Sequence, residues 1–306
     1  MKNCRIVTLY SGSGGNSTYV RVADTAILID AGKSARAICN ALKAIGSDIS
    51  EIRAIFVTHE HHDHISALEI LAKKYGIPIH MTEGSAARFD RYPDSPVHAR
   101  LVRHETEFCV QIGELTISSF RTPHDSRMSV GYRVEFEDGE GRRAIGLATD
   151  IGYVTPQIRD GLCGCEAVVL ESNHDPEMLM NGPYPYDLKL RIRSNRGHLS
   201  NPDSAGFAAW LTERGTRGFL LAHLSEENNE PTLALDEVRS AISDLRVCVC
   251  AASPDLPTEL QWQSVAEETG MTEEEEIKER EVFGFDRSDD DRAGHAEGGI
   301  LESCGG

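Results

Sequence analysis

Long apolar segments are missing from this 306-residue chain. No stretch approaches the roughly 18 to 20 uninterrupted apolar residues that cross a bilayer, so we expect no transmembrane helix. The first ten residues carry Lys2 and Arg5 but lack the roughly 7 to 15 apolar residues of a secretory signal peptide. These absences favour a cytoplasmic protein that does not act on membranes.

The cysteines lack the spacing of common zinc and redox motifs. The chain has 8 cysteines, and its two close pairs, Cys163/Cys165 and Cys248/Cys250, are each separated by one residue rather than two. Disulfides are rare in the cytosol. We therefore expect reduced thiols with no part in the chemistry.

Basic residues are outnumbered, and the excess acid is concentrated in one segment. The net charge is −18, yet residues 253–306 alone hold 16 acidic and 4 basic side chains. That segment has few apolar residues and is predicted to be an acidic tail, disordered or partly helical. Residues 1–252 are only slightly acidic. A strongly acidic surface would repel nucleic acid, but this part of the chain is compatible with a nucleic-acid substrate.

Strand patterns begin each half of residues 1–252, and helical patterns follow them. Residues 5–9, 18–22 and 26–30 read as strands, and residues 35–45 as a helix that stops at Gly46. This order predicts one α/β domain, an αββα sandwich of two mixed β-sheets with outer helices. The glycine-rich segment 11–16 lacks the third glycine of a dinucleotide loop and precedes a strand. We predict a tight loop at the mouth of a site.

A histidine-rich run lies between a predicted strand at 53–57 and a predicted helix at 65–75. Imidazoles and carboxylates are common ligands of zinc, and four of them within six residues can converge on one ion. A solvent-facing histidine-rich turn would not need that framing strand and helix. The run therefore predicts a metal site with four ligands: His59, His61, Asp63 and His64.

Three further candidate ligands end later apolar strands. His124 comes shortly after residues 115–121, Asp150 directly follows residues 144–149, and His223 directly follows residues 218–222. Each alone would more often be a cap or a loop residue. Together with the run they favour metal ligation.

In this order of ligands, residues 5–250 resemble the metallo-β-lactamase-fold hydrolases, with Asp30 similar to that family's structural aspartate. The likeness extends to the YycJ/WalJ-type exonuclease group in segments 11–16, 170–175, 182–185, 188–192, 197–201 and 222–229. It implies the αββα fold and a 5′-to-3′ exonuclease of double-stranded DNA with a role in DNA mismatch repair.

The resemblance also implies how two metal ions are held. One would be bound by His59, His61 and His124, the other by Asp63, His64 and His223, with Asp150 bridging both. Three imidazoles suit zinc, whereas the set richer in carboxylate also tolerates Mn²⁺. We expect Zn²⁺ and/or Mn²⁺, with Mn²⁺ as the activator.

Two residues are predicted to be catalytic. A hydroxide held between two ions would attack the phosphate, and Asp63 would orient it. His198, in Gly-His-Leu-Ser, is the candidate general acid, because histidine titrates near neutral pH. The alternative is a structural histidine at the start of the helix predicted at 204–214.

Substrate contacts are predicted at two places. Asn173 and His174 would contact substrate, with an orienting or purely structural role as the alternative for His174. Lys189, Arg191 and Arg193 form a basic cluster that would bind phosphates. A solvated basic helix face is the alternative there.

Two other functions share parts of this pattern. A phosphodiesterase of the same fold that acts on RNA or a small molecule would use the same ligands. A metal-binding regulatory protein without turnover would have no need of His198 beside a full two-metal set.

Overall fold

The structure is a computed structural model that describes residues 4–139 and 141–262. Its strands form two sheets of seven strands each. The first has the order β14-β1-β2-β3-β4-β5-β6 and the second the order β13-β12-β11-β10-β9-β8-β7.

The strands of the first sheet are β1 (Cys4–Tyr10), β2 (Ser17–Val22), β3 (Thr25–Ile29), β4 (Ile52–Phe56), β5 (Ile79–Thr82), β6 (Leu101–His104) and β14 (Thr258–Leu260). Those of the second are β7 (Cys109–Ile112), β8 (Leu115–Arg121), β9 (Val130–Glu137), β10 (Arg142–Ala148), β11 (Ala167–Glu171), β12 (Gly218–Ala222) and β13 (Cys248–Ala251).

The helices are α1 (Ala35–Ala44), α2 (His62–Ile65), α3 (Leu68–Tyr75), α4 (Glu83–Ala86), α5 (Pro156–Leu162), α6 (Pro176–Asn181), α7 (Tyr186–Ile192), α8 (Asn201–Thr212) and α9 (Pro231–Ala241). Short 3₁₀ turns cover Ile49–Glu51 and Phe89–Arg91.

Three apolar layers hold these elements together. In β3, Ile27 packs between the two sheets, whereas the next residue, Leu28, packs beneath α1 and α3 with Ile38 and Leu71. This alternation follows from the two-residue period of a strand. A third layer lies between the second sheet and helices α5, α8 and α9. The predicted αββα architecture is thereby confirmed.

The strands that precede the candidate ligands run in matching directions. β3 and β4 are parallel in the first sheet, as are β10, β11 and β12 in the second. β8 is antiparallel to β9, which is antiparallel to β10, so β8 points the same way as β10. Residues that follow these strands therefore emerge at one edge of their sheet.

The last strand, β14, lies beyond the domain boundary that the sequence predicts at residue 252. β14 pairs with β1, Leu260 is buried, and the Arg5 guanidinium donates to both oxygens of Glu259 at 2.8 and 3.0 Å. The boundary predicted at residue 252 is therefore too early, because residues as far as Leu260 complete the first sheet. The prediction of an acidic tail falls, for 263–306, outside the described residues.

Two findings concern the cysteines and the helices of the described residues. Their seven cysteines are all free thiols. None of their helices is long and apolar enough to cross a membrane.

Removing β14 should destabilise the domain. A chain of residues 1–252 loses the burial of Leu260 and the Arg5–Glu259 ion pair that a chain of residues 1–262 keeps. We expect its free energy of unfolding to be lower by about 2 kcal/mol, the scale of burying one leucine. Urea denaturation of the two chains measures the difference. Equal midpoints and slopes would contradict a structural role for β14.

Candidate metal centre

Each candidate ligand outside the histidine-rich run directly follows or nearly follows a strand. Asp30, Asp150 and His223 also have left-handed backbones, with φ of 63°, 58° and 57°. Residues other than glycine rarely adopt this conformation. It costs free energy and persists where packing and hydrogen bonds enforce it, often at functional sites. Two of these residues, Asp150 and His223, are predicted ligands, and the third, Asp30, contacts the predicted ligand His64.

The first ligand group is His59, His61 and His124, whose ring nitrogens lie within 4.8 Å of one another. His59 Nε2 is 2.9 Å from His61 Nδ1. Nitrogen ligands of a tetrahedral zinc ion lie roughly 3.3 Å apart, given Zn–N bonds of about 2.0 to 2.1 Å. The His124 Nδ1–H donates to the carbonyl of Gly197 at 3.2 Å, so its Nε2 has a free lone pair.

The second group is Asp63, His64 and His223. Asp63 Oδ2 lies 3.4 Å from His64 Nε2 and 3.9 Å from His223 Nε2. The predicted tight loop supports this group, since Asn16 Nδ2 donates to Asp63 Oδ2 at 3.3 Å. The hydroxyl of Ser11 accepts from the His223 amide at 2.8 Å.

Asp150 lies between the two groups and is 2% exposed. Its Oδ1 is 3.7 Å from His124 Nε2 and 3.6 Å from His223 Nε2, and its Oδ2 is 3.5 Å from His64 Nε2. Burial opposes ionisation, but the surrounding imidazoles hold the pKa of Asp150 well below its usual range. The structure thus brings together all seven predicted ligands.

Asp30 and Thr58 set the tautomers of two ligands. The His64 Nδ1–H donates to Asp30 Oδ2 at 2.8 Å, which leaves Nε2 with a lone pair. The Thr58 hydroxyl also donates to Asp30, at 2.8 Å, and so can only accept from His59 Nδ1 at 3.1 Å. Such hydrogen bonds orient metal-binding imidazoles and raise their basicity.

Glu171 is a site residue to which the sequence pattern assigned no role. It ends β11 and is completely buried. Its Oε1 accepts from Nδ1 of His198 at 2.8 Å and of His223 at 3.0 Å. Its Oε2 accepts from the amides of Ile151 at 2.7 Å and Leu199 at 3.2 Å. The strand-end position that identified Asp150 and His223 applies equally to this carboxylate.

Burial alone would raise the pKa of Glu171. The charge of His198 and the hydrogen bonds from His198 and His223 outweigh that effect and lower the pKa to about 2. Glu171 is therefore a carboxylate at neutral pH, and it orients one predicted ligand and the predicted general acid together.

Asp125 is a second residue without a predicted role. Its Oδ1 lies 3.3 Å from His124 Nε2 and 3.8 Å from His61 Nε2. Its Oδ2 accepts from Arg191 Nε at 2.6 Å. Asp125 thus connects the first ligand group to an exposed arginine.

Unpartnered buried atoms test whether this site fits metal ions. Asp125 Oδ1, Asp150 Oδ2 and His223 Nε2 are buried and have no hydrogen-bond partner in the part of the chain that the structure describes. Leaving a buried polar atom unsatisfied costs about 1 to 3 kcal/mol. A cation would satisfy all three, and imidazole with carboxylate suits Zn²⁺ or Mn²⁺. The residues therefore fit divalent metal ions.

His198 lies at the wall of a cavity of about 230 Å³ that His124, His223, Asn173 and Arg191 also line. Its side chain is 22% exposed. The start of α8 does not depend on it, because the hydroxyl of Ser200 caps that helix. The position agrees with a chemical role better than with a helix cap.

Two predicted substrate contacts do not match their positions. Lys189 is buried, and its Nζ donates to the carbonyls of Met180 at 2.8 Å and Gly182 at 2.7 Å, so it ties α7 to α6. His174 is 2% exposed, and burial lowers its pKa to about 4. Neither offers a surface to a phosphate.

The other three predicted contacts remain accessible or adjoin the cavity. Asn173 lines it, but its Nδ2 also donates to the carbonyl of His223 at 2.7 Å. Arg191 and Arg193 are exposed. Arg191 stands beside His198 in the cavity wall.

The comparisons with known proteins agree with this geometry. A family model described as a β-lactamase superfamily domain matches residues 25–224. The metallo-β-lactamase-fold protein YhfI of Bacillus subtilis superposes with a TM-score of 0.63 at 16% identity, over 85% of this chain and 100% of YhfI. The short form of human tRNase Z superposes with a TM-score of 0.56 at 16% identity, over 83% and 98%. The fold and site define a metal-dependent hydrolase.

Two curated relatives identify the group within this superfamily that the chain is similar to. Exodeoxyribonuclease YycJ of Bacillus anthracis is 33% identical over 261 residues, which is 83% of this chain and 97% of YycJ. Exodeoxyribonuclease WalJ of Streptococcus pneumoniae is 35% identical over 228 residues, 74% of this chain and 83% of WalJ. The chain belongs to the metallo-β-lactamase superfamily and, within it, to the YycJ/WalJ group.

Glu171→Gln should weaken metal binding. The carboxamide has one acceptor oxygen where the carboxylate has two, so its NH2 group must face either the two imidazole N–H groups or the two backbone amides, and the positions of the His198 and His223 rings are disturbed in either case. Loss of such orienting groups typically costs about 10- to 100-fold in metal affinity or activity. Competition with a chelating dye measures the affinity.

Glu166→Gln is the matched control for this change. Glu166 immediately precedes β11, at the other end from Glu171, and pairs with Arg143. Equal metal affinity in the two variants would contradict the orienting role of Glu171.

Proposed function

We propose that this protein is a two-metal phosphodiesterase that degrades double-stranded DNA from the 5′ end. The observation that carries the proposal is Asp150, whose two oxygens lie within 3.7 Å of nitrogens from both ligand groups. A carboxylate in that position can serve two ions at once. The names of the relatives YycJ and WalJ supply the class of substrate.

The two ligand groups favour different ions. His59, His61 and His124 offer three imidazoles, which suits Zn²⁺. Asp63, His64 and His223 with Asp150 offer more carboxylate, which tolerates Mn²⁺. Divalent ions in such a pair activate water and neutralise charge on the attacking and leaving oxygens of a phosphodiester.

His198 is proposed to protonate the leaving oxygen. Its Nδ1–H is held by Glu171, so Nε2 is the atom left to carry a proton to substrate. Its ring centroid lies 5.2 Å from that of His124 and 5.1 Å from that of His223, beside both ligand groups. General acid catalysis typically contributes about 10² to 10⁴ in rate.

Asp63 and two arginines complete the proposed machinery. Asp63 would accept a hydrogen bond from the attacking water. Its Oδ2 lies beside the ring nitrogens of His64 and His223, which would hold the same metal ion. Arg191 and Arg193 on and just after α7 would contact phosphates near the cavity, which positions the strand without reading its sequence.

Asp150→Ala should abolish DNA cleavage. Removal of the carboxylate shared by both groups should lower the rate by at least about 100-fold, beyond the usual loss from a missing orienting group. The assay is release of label from 5′-labelled and 3′-labelled duplex DNA with Mn²⁺. Elemental analysis of the same samples should show fewer bound metal ions.

Asp236→Ala, at an exposed position of α9, is the control for this variant. Equal cleavage by Asp150→Ala and wild type would refute the metal assignment. Early release of the 3′ label would reverse the proposed polarity. Faster cleavage of a matched RNA duplex would favour an RNA phosphodiesterase.

His198→Ala should slow DNA cleavage by about 10² to 10⁴, the usual contribution of a general acid. The loss should be much smaller with bis(p-nitrophenyl) phosphate, because p-nitrophenolate leaves without a proton. The measurement is kcat on both substrates at fixed metal occupancy. An equal loss of kcat on both substrates would contradict the general-acid role of His198.

A further inference from the structure

Arginines line two cavities that continue away from the metal centre. One cavity, of about 540 Å³, is lined by His124, Arg121, Arg127 and Arg196 among others. The next, of about 270 Å³, is lined by Arg88, Arg91, Tyr92 and Arg127. His124 joins the first cavity to the metal centre, and Arg127 joins the two cavities. We call this continuous surface the arginine groove: Arg88, Arg91, Arg121, Arg127 and Arg196.

The groove is basic in a chain that is acidic as a whole. The chain has 49 acidic and 31 basic side chains, yet neither cavity lining includes an aspartate or a glutamate. The nearby Asp90 forms its ion pair with Arg103. Within the described residues, the guanidinium groups of Arg88, Arg91, Arg121 and Arg127 form no ion pair. An extended anion would supply the missing counter-charge.

The groove is held in register with the metal site by Glu60, which lies inside the histidine-rich run and received no predicted role. Glu60 is buried, and its Oε1 accepts from the backbone amide of Arg127 at 3.0 Å. Its Oε2 accepts from the hydroxyl of Ser85 on α4 at 3.0 Å. A strand bound along the groove would therefore be positioned relative to the metal ligands.

Two exposed tyrosines distinguish this groove from a site for a small anion. Tyr153 lines the larger cavity and is 46% exposed, and Tyr92 lines the smaller one and is 62% exposed. Exposed aromatic rings beside a basic track are typical of surfaces that bind single-stranded nucleic acid, where bases stack on the rings. A single phosphate would occupy neither cavity fully nor use either ring.

We infer that the arginine groove binds the part of the DNA substrate strand beyond the scissile phosphate, as a single strand. Its arginines contact successive phosphates, and Tyr92 and Tyr153 stack on bases. This inference rests on the proposed nuclease function and adds the path of the strand to it.

The experiment measures the salt dependence of binding to Arg91→Ala/Arg127→Ala. The probe is a fluorescein-labelled, hydrolysis-resistant phosphorothioate DNA strand of about 20 nucleotides, longer than the roughly 4 to 16 nucleotides that such surfaces cover. Fluorescence anisotropy with Mn²⁺ present gives affinity at several salt concentrations. Each lost phosphate contact should reduce the slope of log affinity against log salt by about 0.7, so the double variant should lose about 1.4.

Arg142→Ala/Arg246→Ala is the matched control, since both side chains are exposed and the change in net charge is the same. Its slope should equal that of the wild type. A slope for Arg91→Ala/Arg127→Ala equal to that of the control would overturn the proposal. So would equal competition by polyglutamate of the same charge, which would show a surface for acidic protein.

Tyr92 tests the stacking independently of charge. Tyr92→Ala should weaken binding at least about fivefold, whereas Tyr92→Phe, which keeps the ring, should bind as the wild type does. Equal affinity of the alanine and phenylalanine variants would remove stacking from the proposal.

Cleavage assays on the same proteins separate this inference from the proposed function. Wild-type cleavage of DNA with an unchanged slope in the groove variant rejects the groove alone. Groove-dependent binding without any cleavage by the wild type rejects the nuclease and retains the groove.

Discussion

The buried carboxylate of Asp150 lies 3.5 to 3.7 Å from imidazole nitrogens of His64, His124 and His223, which come from three separate segments of the chain. These contacts require the edges of two sheets to meet, because His64 follows a strand of the first sheet and the others follow strands of the second. The apolar layer between the sheets holds those edges together. The chemistry of the site therefore depends on a core that contains none of its ligands.

Around this centre, two carboxylates outside the predicted ligand set organise the rings. Asp30 holds His64, and Glu171 holds His223 and His198. Through Glu171, a residue proposed to bind metal and one proposed to move a proton share one acceptor oxygen. Asp30, Asp150 and His223 have left-handed backbones. This conformation costs free energy, and it occurs here at residues whose side chains belong to the site.

The acidic composition of the chain and a nucleic-acid substrate are compatible because charge is distributed unevenly. The two cavities of the arginine groove have several arginines and no acidic residue in their linings. Acidic groups at the centre itself would be neutralised by the ions that they bind. A phosphate backbone could thus approach along one basic surface of a chain whose net charge is negative. Salt screens the interaction between charges that are more than about 8 to 10 Å apart. The arginines next to a bound phosphate therefore matter more than the net charge of the chain.

The sequence by itself determined the layers of the fold and which seven residues meet at the centre. Each ligand follows an apolar strand, and parallel strands carry such residues to one edge, so short-range pattern was sufficient. The same pattern put the domain boundary too early, before β14. Three residues with one buried leucine are too short a segment for a strand to be predicted from sequence. Only the tertiary structure decided that Lys189 is tied to carbonyls, that Glu171 joins His198 to His223, and that Arg91 and Arg127 share a surface. These facts depend on contacts between residues distant in the chain, and side-chain identity does not specify which distant neighbour it will have.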